Sequence, residues 1–580
     1  MKKFVAGIGQ SDFRVFRESG FDYVDKTFFV SDVLADPSLV LLFPRPRRFG
    51  KTLNLSTIGH FLRKTNEDLS SLFEGLKVTE SPKAMAHFQK HPVIFVTFKD
   101  VKANSFAAAL TGIRDQIVSA YHEHRGLLDE NKLDPTRAWQ FQRVLSGEIA
   151  DDELPYSFQW LSKALYEHHG QRVVILIDEY DTPVQSGYMN GYFDDIVSFF
   201  RNFFSACLKD NNALFKSVLT GILRVSKENM FSGLNHIVVR SIIEQPYNTA
   251  FGFTEQEVAA IVEPEKLEEV RAWYNGYTFG GQVIYNPWSI LNYINEGLLK
   301  PYWVNTASTD LIETLALKYG LGLSEMSEAL LSGGTIDMPI DSNIVLRNVD
   351  QSPDAFWNFL LFSGYLKVVE LKLEMGRYYA KLAIPNREVN IVYQDLFRDW
   401  LHKADPRWSC TDALVKALLA GDASEAEENL ETILLRAMSF QDPAGAEPEK
   451  LYHGFILGLL VHLENHYEVR SNREAGDGRA DVLIRPKKLG LAGVVIEFKV
   501  KRRTKSVNET LLQAAEQVRE KRYAEELTAL GATAVHEYAM VFDGKKAAVK
   551  RVDELLAKAA KAAKAGKKRK AAAGGGRSRR

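Results

Sequence analysis

The chain has 580 residues, 46% of them apolar and 25% charged, with a formal net charge of −1 and two cysteines, Cys207 and Cys410. This length indicates about three or four domains. The composition excludes a disordered or fibrous protein, and two cysteines so far apart exclude a disulfide framework or a cysteine-based zinc site. Because no apolar run approaches the roughly 18–20 residues that span a bilayer and no signal peptide is evident, we expect a cytoplasmic protein without a membrane partner.

The first part of the chain alternates short apolar segments with longer amphipathic ones. The apolar segments predict strands and the amphipathic ones predict helices. Because these strands are apolar along their whole length, they indicate an α/β fold with a parallel sheet and helices on both faces. The predicted strands span 39–43, 92–98, 173–177 and 217–219, and two of the predicted helices span 106–121 and 196–208. From about residue 250 the pattern is mostly helical, and a helix-plus-strand module is predicted at 356–368 and 379–384.

The first strand leads into a loop that ends in Gly50-Lys51-Thr52, before a helix. A glycine there lets the backbone approach a phosphate, and N–H groups at a helix N-terminus attract anions. Lys51 is expected to reach the β- and γ-phosphates of ATP, and Thr52 to ligate Mg²⁺. The full P-loop pattern begins with a glycine, a position that Arg45 occupies here. A chance Gly-Lys-Thr on an exposed turn is therefore an alternative.

Acidic residues follow the third predicted strand. At the tip of a strand beside the P-loop, Asp178 could hold Mg²⁺ through water and Glu179 could polarise the attacking water. The alternative is a pair of acids that cap a strand and its turn. Thr220 ends the next strand, where it could lie between the carboxylates and sense the γ-phosphate. Arg224 or Arg201 could stabilise phosphate charge within the chain or from a neighbouring subunit of a homo-oligomer, unless they are surface or ion-pair residues.

Three segments together resemble the predicted AAA-ATPase-like family of P-loop proteins, common in bacteria. They are Arg45-Pro-Arg-Arg-Phe-Gly-Lys-Thr52, Asp178-Glu-Tyr-Asp-Thr-Pro183 and Leu219-Thr-Gly-Ile222; a loop rich in arginine without the first glycine is usual in that family. The resemblance extends through Tyr274-Asn-Gly-Tyr277 and Tyr285-Asn-Pro-Trp-Ser289, although such aromatic residues are also typical of core packing. The residues expected to bind the nucleotide are Arg47, Arg48, Phe49, Gly50, Lys51, Thr52, Leu53, Asp178, Thr220 and Arg224, with Glu179 catalytic and Thr52 and Asp178 holding Mg²⁺.

A second set of charged residues lies near the C-terminus. Glu497 and Lys499 alternate with apolar residues on a predicted strand and therefore point to one face, and Asp481 begins the adjacent strand of a predicted hairpin. Two carboxylates on neighbouring strands can hold a divalent ion, and a nearby lysine could position water or stabilise a phosphorane, as phosphodiester hydrolysis requires. The alternative is an ordinary ion pair between Glu497 and Lys499.

This segment resembles a PD-(D/E)XK nuclease superfamily domain of the variety found behind the same ATPase-like domain. The resemblance rests on Ser471-Asn-Arg-Glu-Ala-Gly-Asp-Gly-Arg-Ala-Asp481, on Glu497-Phe-Lys499 and on a following helix that carries Gln517. It implies that Asp481 and Glu497 are metal ligands, that Lys499 is catalytic and that Gln517 is an accessory catalytic residue. His453 would contribute from the first helix, or else be a capping or core residue. Ala480 stands where the literal motif has proline.

These features divide the chain into five predicted regions. They are a P-loop AAA-like ATPase domain at 1–240, a helical lid or winged-helix-like region at 241–335, a helical connector at 336–440, a small restriction-endonuclease-like α/β domain at 441–545 and a basic low-complexity tail at 546–580. Nine basic and no acidic residues lie from Lys561 to Arg580, which leaves about −10 on the rest of the chain. The tail could neutralise nucleic-acid phosphates or could only keep the protein in solution.

The predicted function is that of a P-loop ATPase coupled to a metal-dependent nuclease, with ATP and Mg²⁺ as cofactors and nucleic acid, DNA rather than RNA, as the partner. ATP binding would order the N-terminal domain, and the helical middle region would relay that change. The alternative is a nucleotide-dependent switch whose C-terminal domain binds nucleic acid or a protein partner without cleaving it.

Overall fold

The structure is a computed structural model of the chain. It describes residues 4–129, 133–209, 211–222, 230, 236–303, 329–330, 333–341, 349, 352–393, 409–437, 452, 455–456, 459–460, 463, 467–471, 481–488, 490–501, 504–529 and 531–561. The chain divides into an N-terminal unit, Met1–Leu315 with Asp337–Ile391, and a C-terminal unit, Ala316–Ile336 with Val392–Arg580. Within the described ranges, every helix is too short or too polar to span a bilayer.

A five-stranded parallel sheet forms the centre of the N-terminal unit. Its strands are β1 (Val40–Pro44), β2 (Val93–Thr97), β3 (Val173–Asp178), β4 (Leu214–Gly221) and β5 (Ile237–Val239), in the order β2-β3-β4-β1-β5. Every residue of β1 and β3 is buried, as in strands that are covered on both faces, so the predicted sheet is confirmed. β4 lies between β1 and β3 and pairs with both.

Helices connect these strands and cover the sheet. They are α1 (Phe13–Glu18), α2 (Phe28–Ala35), α3 (Lys51–Leu62), α4 (Ser70–Phe73), α5 (Pro82–Met85), α6 (Phe106–His122), α7 (Gly126–Asp129), α8 (Pro135–Leu145), α9 (Ser157–His169), α10 (Thr182–Asn190) and α11 (Phe193–Leu208). Local sequence fixes several of their ends. The side chains of Ser105 and Asp134 accept N–H groups at the starts of α6 and α8, and left-handed Gly170 and Gly191 end α9 and α10.

The rest of the N-terminal unit mixes helices with two three-stranded sheets. Its elements are β6 (Phe253–Thr254), α12 (Glu255–Ile261), α13 (Leu267–Tyr274), β7 (Tyr277–Phe279), β8 (Gln282–Tyr285), α14 (Pro287–Glu296), β9 (Ile336–Ile340), α15 (Pro353–Ser363), β10 (Lys367–Glu374) and β11 (Arg377–Ala383). The sheet orders are β6-β8-β7 and β10-β11-β9. The predicted helix-plus-strand module is confirmed as α15 and β11, although the region is less helical than predicted.

The C-terminal unit is built on a five-stranded sheet in the order β12-β13-β14-β15-β16. Its elements are α16 (Ser409–Ala420), α17 (Ala423–Ala437), β12 (Tyr467–Ser471), β13 (Val482–Pro486), β14 (Gly493–Val500), α18 (Val507–Lys521), α19 (Tyr523–Ala529), β15 (Val535–Asp543), β16 (Lys546–Arg551) and α20 (552–561). The parallel pair, β14 and β15, is joined through α18, as a parallel connection requires. The other neighbouring strands are antiparallel.

The packing of this unit moves two predicted boundaries. One face of the sheet packs with α16 and α17, where Leu430 and Leu434 share a core with Ile496, so these helices lie in the same core as the predicted 441–545 domain. The other face packs against α18, where Leu511 meets Val495. The predicted tail is wrong for residues 546–561, because β16 pairs with β15 and α20 follows it. Residues 562–580 lie outside the described part of the chain.

Candidate nucleotide and metal sites

The loop between β1 and α3 turns sharply twice. Arg48 has a φ of +65° and Gly50 a φ of +84°. Glycine adopts this left-handed conformation readily, whereas arginine adopts it only where surrounding contacts hold it. Lys51 and Thr52 are the first two residues of α3, so their N–H groups lie at the positively polarised end of that helix. The loop therefore has the backbone arrangement that favours an anion.

Arg45, at the position of the first P-loop glycine, is fully buried. Its guanidinium donates to the backbone carbonyls of Arg240 at 2.5 Å and Tyr247 at 3.4 Å. The same group lies 5.0 Å from the ring centre of Phe251 and 5.5 Å from that of Phe279. Burial lowers the pKa of Arg45 to about 9. Arg45 thus holds the base of the loop from inside the core. At the position of the first P-loop glycine this chain therefore has a side chain that packs in the core.

Three threonine hydroxyls converge on the buried carboxylate of Asp178. Thr52 of the P-loop helix donates to Oδ2 at 2.8 Å, Thr220 of β4 donates to Oδ1 at 2.7 Å, and Thr97 of β2 donates to Oδ2 at 3.3 Å. Burial and the neighbouring Glu179 carboxylate raise the pKa of Asp178. The structure therefore brings together Thr52, Asp178 and Thr220, which the sequence placed on three separate elements.

Lys51 joins the loop to the second acid. Its side chain is 3% exposed, and its Nζ lies 3.1 Å from Oε1 of Glu179. The same ammonium donates at 3.2 Å to the carbonyls of both Arg45 and Pro46. Glu179 has a φ of +51°, a conformation that costs a non-glycine residue free energy and is often found at functional sites. The lysine and the acid predicted to act on phosphate and water are therefore in direct contact.

A cavity of about 520 Å³ adjoins this network, a volume within the usual range of small-molecule sites. Its lining includes residues 47–54, residues 7–11, Lys99, Lys102 and Trp288. The guanidinium of Arg48 lies 3.6 Å from the ring centre of Trp288. Cationic side chains line the cavity at the loop that precedes α3, and the hydroxyl of Thr52 and the carboxylate of Asp178 lie behind that loop. This arrangement fits a nucleoside triphosphate and a hard divalent cation.

The predicted nucleotide residues Arg47 to Leu53 all line this cavity, but not all through their side chains. Phe49 is fully buried, with its ring 5.0 Å from that of Tyr277. Phe49 can therefore contribute to the nucleotide site only through its backbone groups. Arg201 is exposed on α11 and is not among the cavity-lining residues. Arg224 lies outside the described residues, so the homo-oligomer expected from an arginine in trans stays a prediction.

Residues far along the chain hold the P-loop from behind. The backbone carbonyl of Arg47 accepts a hydrogen bond from Nε1 of Trp303 at 3.1 Å and another from Nδ2 of Asn286 at 3.3 Å. The buried carboxylate of Glu388 accepts the backbone N–H of Trp303 at 2.6 Å and the hydroxyl of Ser289 at 2.8 Å. Burial raises the pKa of Glu388 to about 7. The Tyr285-to-Ser289 motif therefore supports the loop in addition to its place in the aromatic core.

The C-terminal unit places the second set of predicted residues together. The register of β13 and β14 pairs Val482 with Ile496, and its continuation sets Asp481 opposite Glu497. Oδ2 of Asp481 accepts the N–H of Phe498 at 2.9 Å. Glu497 is fully buried, and its Oε1 lies 2.9 Å from Nζ of Lys499. The prediction that Glu497 and Lys499 share a face with Asp481 is therefore consistent with the sheet.

The free oxygen of Glu497 bears on whether a metal fits. Its Oε2 is buried and has no hydrogen-bond partner among the described residues. Burial and the nearby Asp481 raise the pKa of Glu497 to about 7. A buried carboxylate oxygen of this kind costs free energy unless it gains a partner, and a divalent cation between Asp481 and Glu497 would supply one. No cluster of three or more metal-ligating side chains occurs in the described ranges.

The accessory residues of this site are less closely placed. Gln517 is partly buried on α18, the helix that packs on the face shared by Val495 and Glu497. No hydrogen bond within the described part of the chain links it to Asp481, Glu497 or Lys499. His453 lies outside the described residues. The sequence analysis missed Thr97, the last residue of β2 as Asp178 is the last residue of β3, and it missed Lys99 and Lys102 just beyond.

The sheet order, the P-loop and the strand-end carboxylate define the N-terminal unit as a P-loop ATPase-like fold, joined to a C-terminal nuclease-like α/β unit. Residues 7–231 match the family model described as "Predicted AAA-ATPase", and residues 447–552 match that of the "PD-(D/E)XK nuclease superfamily". The chain therefore carries a predicted AAA-ATPase domain followed by a PD-(D/E)XK nuclease superfamily domain, and both resemblances are confirmed.

Individual proteins are also similar to this chain. One, described as "Uncharacterized protein in vnfD 5'region" from Azotobacter chroococcum mcd 1, is 28% identical over 546 residues, which cover 90% of this chain and 94% of that protein. Another is the solved structure of the Walker-type ATPase paby2304 of Pyrococcus abyssi. It is 13% identical and covers 65% of this chain and 97% of its own, with a TM-score of 0.33, too low to support a structural argument.

Proposed function

We propose that the N-terminal unit binds ATP with Mg²⁺ and hydrolyses it. The observation that carries the proposal is the convergence on Asp178, where Thr52 from the P-loop helix and Thr220 from β4 donate to the two oxygens of one buried carboxylate. A magnesium–phosphate site requires a hydroxyl beside the P-loop lysine and a carboxylate within reach of it. A chance Gly-Lys-Thr turn or a plain strand cap would not require that network.

Each residue has a separate role in this proposal. Lys51 exchanges its contacts with the loop carbonyls and Glu179 for phosphate oxygens. Thr52 and Asp178 would hold Mg²⁺, which supplies positive charge to the phosphate oxygens when bound, and Thr220 orients Asp178. Glu179 accepts a proton from the attacking water. Because Lys51 and Glu179 are paired at 3.1 Å, phosphate binding to the lysine also releases the base.

Two substitutions test the ATP site. Lys51→Ala should abolish binding and turnover, whereas Glu179→Gln should keep binding and slow hydrolysis by about 100-fold or more. Lys163→Ala, at an exposed position of α9, is the control for loss of a lysine elsewhere. Equal turnover in the wild type and in all three variants would contradict the proposal.

We further propose that the C-terminal unit cleaves nucleic acid, with DNA as the substrate, through a divalent metal held by Asp481 and Glu497. Support comes from the unpartnered buried oxygen of Glu497 and from the facing position of Asp481. Lys499 would stabilise the charge that develops on the phosphodiester, and Gln517 would assist from α18. The metal, when bound, supplies a polarised water for hydrolysis.

Plasmid cleavage with Mg²⁺ or Mn²⁺ tests this second site. The wild type and Glu520→Ala, a variant at an exposed position of α18, should cut, and Glu497→Ala should not. Calorimetric titration with Mn²⁺ should show the same difference in metal binding. If folded wild-type protein cuts neither with nor without ATP, the alternative is favoured, in which the C-terminal domain binds nucleic acid or a partner under control of the nucleotide.

A further inference from the structure

We propose that Lys99 and Lys102 bind the terminal phosphate of the nucleotide and thereby make the site selective for a triphosphate over a diphosphate. This inference rests on the proposed ATP site. Both lysines lie in the loop after β2, and both line the cavity that residues 47–54 of the P-loop line. They form a second cationic wall, separate from the P-loop in sequence.

The strand order places the two lysines farther from the P-loop than Glu179 is. Along the sheet, β1 of the P-loop is followed by β4, by β3, which leads to Glu179, and then by β2, which leads to the two lysines. β2 pairs with β3 so that Thr97 lies opposite Asp178, and Lys99 follows Thr97 by two residues. Neighbouring strands are about 4.8 Å apart, so the loop after β2 lies one strand beyond the acids at the end of β3. A phosphate chain that runs from Lys51 toward Glu179 therefore presents its last phosphate to this loop.

The backbone that carries the lysines is anchored. Phe98 and Val101 are buried, so the residue before Lys99 and the residue before Lys102 are both held in the core. The backbone carbonyl of Ala103 accepts a hydrogen bond from the hydroxyl of Ser186 at 2.9 Å and another from the hydroxyl of Tyr192 at 2.7 Å. The N–H of Ala103 donates to the same serine oxygen at 3.0 Å. The lysine side chains therefore extend from a fixed position.

The charges in the cavity differ in how they are balanced. Lys51 is paired with Glu179, and Lys26, which also lines the cavity, is paired with Glu257. Lys99 and Lys102 are exposed, and neither forms an ion pair with any carboxylate in the described ranges. Cations without a counter-charge at the wall of a cavity attract an anion. The terminal phosphate is the anionic group that ATP has and ADP lacks.

The proposal predicts a specific pattern of affinities. Because the P-loop binds phosphates that ATP and ADP share, removal of the β2-loop lysines should affect the triphosphate alone. Removal of each charge-assisted hydrogen bond to the terminal phosphate should weaken ATP binding about 10-fold. The affinity for ADP should change by less than about 2-fold, because ADP has no phosphate that reaches these lysines.

Calorimetric titration of the full chain in Mg²⁺ with ADP and with AMP-PNP, a non-hydrolysable analogue that stands in for ATP, tests the proposal. The variants are Lys99→Met, Lys102→Met and their combination, with Lys99→Arg as the conservative rescue and Lys163→Met as the control at an exposed site of α9. We expect the Met variants to lose ATP affinity selectively and the Arg variant to retain it. Unchanged ATP affinity in the double variant, or an equal loss for ATP and ADP, would overturn the proposal. If the wild type binds neither nucleotide, it is the proposed ATP site that fails.

Discussion

The indole N–H of Trp303 donates to the backbone carbonyl of Arg47 at 3.1 Å, across 256 residues of sequence. Asn286 donates to the same carbonyl at 3.3 Å. Arg47 precedes Arg48, whose left-handed conformation must be held by its surroundings. The P-loop conformation therefore depends on donors from the region that follows the parallel sheet, and not only on β1 and α3.

Trp303→Phe should weaken ATP binding while the N-terminal unit stays folded. The substitution keeps an aromatic ring in a buried position but removes the N–H that Arg47 accepts, and a hydrogen bond of this kind contributes about 1 kcal/mol, or roughly 5-fold in affinity. Titration with ATP measures the effect. Trp139→Phe is the matched control, because Trp139 is 58% exposed on α8. Equal ATP affinity in both variants would contradict a role for Trp303 in positioning the loop.

Glu388 should make the stability of the N-terminal unit depend on pH. Burial raises its pKa from 4.5 to about 7, and the groups that face it are Tyr277, Tyr274 and Tyr302, which stay neutral in this range. The folded state binds the proton more tightly than the unfolded state, so this contribution is complete below pH 4.5 and is lost as the pH rises through 7. Its size is about 3 kcal/mol.

A comparison with Glu388→Gln isolates that contribution. The amide can still accept from Trp303 and contact Ser289, but it does not titrate. Between pH 4.5 and pH 8 the free energy of unfolding of the wild type should fall relative to that of the variant by about 3 kcal/mol, measured by denaturant titration of the full chain. A difference that stays constant with pH would show that the pKa of Glu388 is the same in the folded and the unfolded state.

Much of the ATP site could be predicted because its signals are local. A fully apolar strand followed by Gly50-Lys51-Thr52, and another followed by Asp178-Glu179, each lie within a short stretch of consecutive residues. The order of the strands could not be predicted in the same way. A strand buried on both faces has the same apolar pattern wherever it lies in a parallel sheet, so nothing in the sequence distinguished β3 beside β1 from β3 beyond β4.

The supporting residues escaped prediction because their partners are distant. A single tryptophan at 303 or glutamate at 388 carries no local pattern that names Arg47 as its target. Lys99 and Lys102 stand in a short charged segment after β2, where a solvated turn is the ordinary interpretation. Only the pairing of β2 with β3 brings that segment to the acids.

Restoring the first P-loop glycine should damage the protein. Arg45→Gly removes a buried guanidinium that bonds the carbonyls of Arg240 and Tyr247 and packs on two aromatic rings. Removal of those bonds and the space left behind should destabilise the N-terminal unit by about 3 kcal/mol or more and weaken ATP binding. Thermal unfolding and ATP titration measure both effects. A variant that is as stable as the wild type and binds ATP more tightly would mean that Arg45 merely occupies the place of the glycine.

The extent of the nuclease-like domain gives a further prediction. Glu427 of α17 accepts the N–H of Val549 at 2.7 Å and pairs with Lys550 at 2.6 Å, and Glu431 accepts the N–H of Ala547 at 3.2 Å. These carboxylates satisfy N–H groups of β16, the edge strand of the sheet. A fragment that spans 441–545 lacks both the helix and the strand.

That fragment should therefore fail to fold, and a fragment that spans 392–580 should unfold cooperatively. Without α16, α17 and β16, the apolar face that carries Ile496 and Met540 would meet water, and β15 would become an unpaired edge next to it, which favours aggregation. Circular dichroism during thermal unfolding distinguishes the two fragments. Within the longer one, Glu427→Ala should lower the unfolding midpoint more than Glu425→Ala, an exposed neighbour on the same helix, because Glu427, unlike Glu425, bonds the edge strand. A stable 441–545 fragment would show that α16, α17 and β16 are dispensable for the fold.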